Sequence, residues 1–255
     1  MLPIDHPRFR PVMELIDDGH IREAIEKLDA TFDRMSPNDR VVALYWKIVC
    51  LLRLGDDTQA RTCLEEALNQ PDIRHSLRIC LELQGAYLAE KDGLEKGVVE
   101  VQSVLNRYAK QFSTPDFFWQ RTDAKSYLGK RLSRLGRYPE AIKELEAALS
   151  FEVRPAARYR LHNWTSSAYY QSGDLRTAKE HLKCALIEAD SASKAQLPAD
   201  HPAQICYELA LIAYREGRLR DAEEELARAS AVAEKPELVR VITKLKSLLH
   251  NAQPA

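Results

Sequence analysis

Three small groups of residues in this chain have the types that could do chemistry. His181 and Cys184 stand three apart, which on a helix puts an imidazole and a thiol on one face, a legitimate spacing for two zinc ligands. A closed site needs two more ligands and none is near in sequence, so the reading preferred is a surface histidine beside a small core thiol. His162-Asn163 and the distant cysteines contain the members of a Cys–His–Asn nucleophile, but no strained turn or motif accompanies them. The acidic pairs Asp17-Asp18 and Asp56-Asp57 suit caps and turns better than paired catalytic carboxylates. Phosphate-binding, dinucleotide, zinc-protease and nucleophile-elbow motifs are missing from the sequence. The expectation is therefore no catalytic residue, no metal and no cofactor.

Charge offers one further lead. Residues 121–137 hold Arg121, Lys125, Lys130, Arg131, Arg134 and Arg137 against Asp123 alone. Lys130 and Arg134 are four apart and share a helix face, which suits a carboxylate or an acidic peptide through charge-assisted hydrogen bonds. The alternative is a solvated face balanced by Glu140, Glu144 and Glu146. Around this patch the chain is neutral, with 37 Lys plus Arg, 38 Asp plus Glu and a net charge of -1, so neither nucleic acid nor an anionic membrane is a favoured partner. No stretch is apolar for long enough to span a bilayer. The start, MLPIDHPRFRP, lacks a basic segment followed by an apolar run. Five scattered cysteines suit reduced thiols, and a cytoplasmic location is expected.

The elements that position these side chains come from an internal repeat. Five segments align without gaps, at 19–31, 55–67, 136–148, 173–185 and 217–229. Each has Gly first, Ala five later, Leu four after that, and Ala or Thr three further on. The glycines follow helical patterns, where a residue with positive φ ends a helix cheaply. Ala24, Leu28 and Thr31, like Ala141, Leu145 and Ala148, then form one stripe of the next helix. The small residue lets two helices approach and the Leu fills the space beside it. Seven before each glycine stand Val12, Ile48, Gly129, Ser166 and Ala210, small in the later copies. A degenerate copy spans 84–105, with Gly85 and Leu88, then Gly97, Val101 and Val104, and its turn glycine Gly93 shifted by one.

The unit is a helical hairpin, and the array resembles the tetratricopeptide repeat, from about residue 5 to residue 234. The early Trp of that family is missing from most copies, and two spacings between anchors are longer. The last copy, opening on His201-Pro202, is similar to the longer unit of kinesin light chains. The resemblance implies an all-α fold, a right-handed superhelical solenoid of six hairpins at about 5–38, 41–74, 76–109, 115–153, 155–194 and 201–234. Insertions are expected near Lys110–Gln120, where Thr114 and Pro115 could begin a helix, and near Asp190–Pro202, where the helix begun at Asp174 runs on until Leu197-Pro198. Of the aromatics Phe112, Phe117, Phe118 and Trp119, three in a row cannot share one helix face, so they pack in the junction or one projects. Residues 236–250 should form a terminal cap, with Leu238, Val241, Ile242, Leu245, Leu248 and Leu249 inward and Arg240, Lys244 and Lys246 outward.

In this family the first helices line a concave groove. The resemblance thus implies a groove lined by Phe9, Met13, Tyr45, Val49 and Arg53 in the amino half. In the carboxyl half it implies Ser126, Lys130, Arg134, Asn163, Ser167, Tyr170, Tyr207 and Tyr214, the candidate protein- or peptide-binding residues. Phe9 and Met13 occupy places where the family's carboxylate clamp carries Lys and Asn, so a chaperone-tail receptor is not expected. The function expected is a non-enzymatic interaction scaffold or adaptor that binds a peptide or protein segment, an acidic one if the basic cluster takes part. The alternative is a ligand- or peptide-sensing regulatory module acting through a separate output partner. Oligomeric state is left open.

Overall fold

In the computed structural model, the residues described are 7–192, 197 and 200–252. Every regular element among them is helical. The chain divides into two compact units, Met1–Ala124 and Lys125–Ala255.

The amino-terminal unit runs through α1 (Arg10–Asp17), α2 (Ile21–Phe32), α3 (Pro37–Leu54), α4 (Asp57–Leu68), α5 (His75–Leu88), α6 (Leu94–Arg107) and the single turn α7 (Ala109–Phe112). The dividing point falls inside α8 (Phe118–Arg134). The second unit continues with α9 (Tyr138–Phe151), α10 (Pro155–Ser172), α11 (Leu175–Ser191), α12 (His201–Arg215), α13 (Leu219–Val232) and α14 (Pro236–Ala252). The ends of the first and fifth expected repeats, at residues 5 and 194, and the expected stop at Pro198 lie outside the described residues.

Local chemistry sets the helix ends. Ser36, Asp56 and Asp174 cap α3, α4 and α11 by accepting a backbone N–H three residues on. The five aligned glycines all take positive φ, from 74° to 94°. At Gly173, φ 94° lets the chain leave α10 while the Gly173 N–H still reaches the Tyr170 carbonyl, and α11 starts two residues later. The degenerate copy departs because α5 runs on into a 3-10 turn, Ala89–Asp92, which moves its glycine by one residue.

Small residues sit where helices meet. Ala24, Ala60, Ala141, Ala178 and Ala222 are fully enclosed, and Gly97 is buried. Of the stripe residues, Thr31 is exposed and Leu64 half-buried; the others are buried. In the preceding helices Val12, Ile48, Gly129, Ser166 and Ala210 are all buried. The Ser166 hydroxyl donates to the Ala178 carbonyl at 2.9 Å, so a polar group sits at this contact without an orphan. At Gly129 the approach is closer still. A Cβ there would lie 2.4 Å from Leu145 Cγ and 3.1 Å from the Ala141 carbonyl oxygen. Gly129→Ala gains helix propensity but must push α8 from α9, and a net loss of about 1–3 kcal/mol is expected. Urea unfolding measures it; a variant as stable as the parent would show that the two helices separate freely.

This packing corrects three expectations and decides between the two readings of the aromatics. Thr114 makes no capping bond: its hydroxyl donates to the Gln111 carbonyl at 2.7 Å, and Pro115 opens a 3-10 turn, Pro115–Phe117, before α8. Phe112 and Phe117 pack edge to face at 5.5 Å and are buried, whereas Trp119 projects, 37% exposed. In α14, Leu238, Ile242, Leu245 and Leu249 are buried against α12 and α13. Val241 and Leu248 are exposed, because a helix resting on two neighbours buries a narrower stripe than six residues. Phe9 and Tyr45 are buried core residues and so do not line a surface. The helix begun after Asp174 does run long, ending at Ser191.

Candidate functional site

The first helices α10 and α12, with the final helix α14, border two adjoining recesses in the carboxyl-terminal unit. The smaller, ≈ 160 Å³, lies between α10 and α12 and takes in Ser167 and Tyr170 from the first, and Gln204, Tyr207 and Glu208 from the second. The larger, ≈ 480 Å³, takes in Asn163 and Trp164 from α10, His201, Gln204 and Tyr207 from α12, and Leu238 and Val241 from α14. Gln204 and Tyr207 belong to both, so the two form one trough.

Helical spacing explains the lining. Asn163, Ser167 and Tyr170 lie at offsets 0, 4 and 7, and Gln204, Tyr207, Glu208 and Leu211 at 0, 3, 4 and 7, each a single face. The adjoining faces carry the small residues that pack against α11 and α13, and Ser166, bonded to the Ala178 carbonyl, sits at the edge between the two. A fixed backbone element thus supports each polar side chain. The third wall is tied down by Asp200, a buried residue just before α12. Its carboxylate accepts the Glu234 N–H at 2.9 Å and lies 3.8 Å from Lys235 Nζ, joining the start of α12 to the link before α14.

Of the residues expected in the carboxyl-half groove, Asn163, Ser167, Tyr170 and Tyr207 line the trough. Ser126, Lys130, Arg134 and Tyr214 line neither recess. Lys130 Nζ lies 4.9 Å from the centre of the Trp164 ring, held by cation–π attraction rather than reaching toward Asn163. The basic stretch is in part balanced by the following helix: Lys125 pairs with Glu144 at 2.8 Å and Arg137 with Glu140 at 2.7 Å. Arg215, which the sequence did not single out, stacks 3.9 Å over Tyr170 and donates to the Tyr170 carbonyl at 2.9 Å, fixing that ring.

The trough is short of partners at two places. Asn163 Oδ1 is enclosed with no hydrogen-bond partner, so a ligand N–H would reach it only after the amide turns toward the recess. Glu208, half-buried, accepts a bond from Gln204 Nε2 at 2.6 Å. Burial pushes its carboxyl up to about 7, against the opposing effect of that bond. Neither residue type is rare, but Glu208 could have been noticed: it is the one charged residue between His201 and Arg215.

The groups considered for chemistry are placed differently. His181 is not a surface side chain. It is half-buried, and its Nδ1 lies 3.0 Å from His162 Nδ1, so one ring donates to the other. Burial, then the neighbouring His181 and Arg158, hold His162 down at about 4. Among the described residues, no group of three or more His, Cys, Asp or Glu converges as a metal site. All five cysteines are free thiols, and burial raises Cys50 to about 11, away from the thiolate a nucleophile needs. No helix among the described residues is long and apolar enough to cross a membrane.

Comparison with known proteins bears on the fold. A sequence profile described as tetratricopeptide repeat matches residues 128–193. No curated protein matches the sequence. The chain is similar to the crystal structure of BtubC (BKLC) from P. vanneervenii, with 15% identity, TM-score 0.62, and 94% of this chain and 93% of that one covered. It is similar to the apo form of the quorum sensor NprR from B. thuringiensis, at 14% identity and TM-score 0.65, covering 97% of this chain and 69% of that one. Kinesin-light-chain-like repeats from Podosopora anserina match at 21% identity and TM-score 0.59, over 78% of this chain and 96% of theirs.

Proposed function

Since the chain is a tetratricopeptide-repeat protein, we propose that it is a non-enzymatic scaffold or adaptor that holds a peptide or protein segment along the trough of α10, α12 and α14. The observation that carries this is the trough itself: two adjoining recesses bordered by helices, with Tyr170 and Tyr207 for contact area. An extended segment has side chains to fill such recesses. The repeats proposed are the six hairpins of the sequence reading, with α14 as cap. Reduced cysteines suit a cytoplasmic setting.

The test is capture of partners on the immobilised chain, followed by calorimetry with the segment identified. Tyr207→Ala, which removes a wall common to both recesses, is expected to weaken binding by about 1–3 kcal/mol, some ten- to hundredfold. Lys130→Glu/Arg134→Glu, outside the recesses, should change it less than threefold. The reverse ranking would move the site to the basic stretch of α8 and restore an acidic partner.

A regulatory reading is favoured by one finding. NprR, a quorum sensor, has also been solved in complex with its cognate peptide NprX, and that structure matches 95% of this chain at TM-score 0.55. On this reading the bound peptide shifts the repeats and a separate partner carries the output. Small-angle scattering with and without the peptide separates the two: an unchanged profile at saturation supports the rigid scaffold.

A further inference from the structure

We infer that the smaller recess, between α10 and α12, is a subsite for a cationic side chain, the ammonium of a lysine or the guanidinium of an arginine carried by the bound peptide, with Glu208 as its counter-ion. This rests on the reading of the trough as a peptide groove and names what part of the peptide it selects.

Size is the first reason. At ≈ 160 Å³ the recess is smaller than the cavities that enclose whole ligands, and suits one long side chain. Its lining is the second. Two phenol rings, Tyr170 and Tyr207, border it, and Leu211 and Ile212 add apolar surface for a hydrocarbon stem. The Tyr207 face can attract a cation and both rings can cover its stem, one face of Tyr170 being taken by Arg215. Charge is the third. Glu208 lies within the recess, and among the described residues no lysine or arginine pairs with it; its hydrogen bond comes from the neutral Gln204 amide. Facing it from α10 are hydroxyl, amide and phenol groups, Ser166, Ser167, Gln171 and Tyr170. Arg215, the cation on its own helix, is occupied on Tyr170. A half-buried carboxylate without a counter-charge is costly, and a bound cation would relieve it. That crowding already raises the affinity of Glu208 for a proton. An acidic side chain would meet like charge here, so the selection runs opposite to the one the basic stretch 121–137 suggested.

The experiment pans a phage-displayed library of random twelve-residue peptides against the full chain. Selected peptides are then synthesised and measured by calorimetry. The expected result is a lysine or arginine at one position of the enriched sequences. Replacing it with norleucine or citrulline should weaken binding about tenfold or more, as loss of a charged hydrogen bond does. Glu208→Gln should abolish the difference between charged and uncharged peptides. The peptide substitutions leave the protein untouched, so this does not depend on how well the variant folds. Enriched peptides that bind without a basic residue, and that Glu208→Gln does not affect while Tyr207→Ala does, would overturn the cationic subsite and leave the groove standing. Enrichment of acidic residues sensitive to Lys130→Glu would overturn it as well. Failure to enrich any peptide would overturn both readings.

Discussion

Leu245→Asp is expected to lift α14 from the repeat array and to remove one wall of the trough with it. Leu245 is 3% exposed and packs with Leu238, Ile242 and Leu249 on α12 and α13. No basic side chain belongs to that cluster, so the new carboxylate must lose its hydration without compensation or break the contact. Either route costs about 3–5 kcal/mol at this site. A helix at the end of a repeat array contacts only its neighbour, so the damage should be local. Hydrogen exchange is the direct measurement. The amides of α14 should lose protection while those of α10 and α11 keep theirs. Peptide affinity should fall too, because Leu238 and Val241 line the larger recess. Val241→Asp is the matched control. At 38% exposure it should leave stability within about 0.5 kcal/mol of the parent, so any effect on binding belongs to the trough. Full α14 protection in Leu245→Asp would show that this contact does not hold the helix.

The fold was legible because it is written in residue sizes and one backbone requirement. Alanine recurs where helices touch, and glycine recurs where φ must be positive; both are local, and both show in one sequence. The lining of the candidate trough was legible in part. Asn163, Ser167, Tyr170 and Tyr207 follow from knowing which helix face is left after the packing face is assigned. Lys130 stands outside the trough, with its ammonium 4.9 Å from the centre of the Trp164 ring, a placement that depends on rotamers rather than spacing. Glu208 was passed over because a lone carboxylate in a helix is ordinary until its surroundings are known. The His162–His181 pair was closer to view. His162 stands four before Ser166 and His181 three after Ala178, and Ser166 bonds the Ala178 carbonyl. In an antiparallel hairpin those offsets place the two imidazoles opposite each other. Spacing alone predicts a surface histidine, whereas the register of the hairpin sets His181 half-buried against His162.

Two groups with strongly displaced titration, Glu208 and His162, should tilt the stability of the chain in opposite directions. Glu208 has its carboxyl raised from 4.5 to about 7. The folded state therefore holds this proton more tightly than the unfolded chain. Its contribution is fully present below about pH 4.5 and is lost as the pH rises through about 7. His162 is held down from 6.5 to about 4. Its contribution is present above about pH 6.5 and is lost as the pH falls toward 4. His181, also lowered by burial, acts in the same sense. The surroundings support these directions. Glu208 sees the Gln204 amide and the neutral phenols of Tyr159 and Tyr207. Around His162, burial, His181 and Arg158 disfavour the proton and Glu188 favours it, though Glu188 is bonded to Arg158 at 2.5 Å. At 1.36 kcal/mol per pKa unit, each displacement corresponds to about 1–3 kcal/mol once partial solvent access is allowed for. Between about pH 4.5 and 6.5 the slope from Glu208 opposes that from the two histidines. Glu208→Gln should match the parent near pH 4 and exceed it by about 1–3 kcal/mol at pH 8. His162→Gln, which keeps a polar group beside His181, should gain on the parent by a similar amount as the pH falls from 6.5 to 4. Urea unfolding across pH 4–8 reads both. Profiles of either variant parallel to that of the parent would mean that the group titrates as it does in the unfolded chain, and that the enclosure described for it is not felt by its proton.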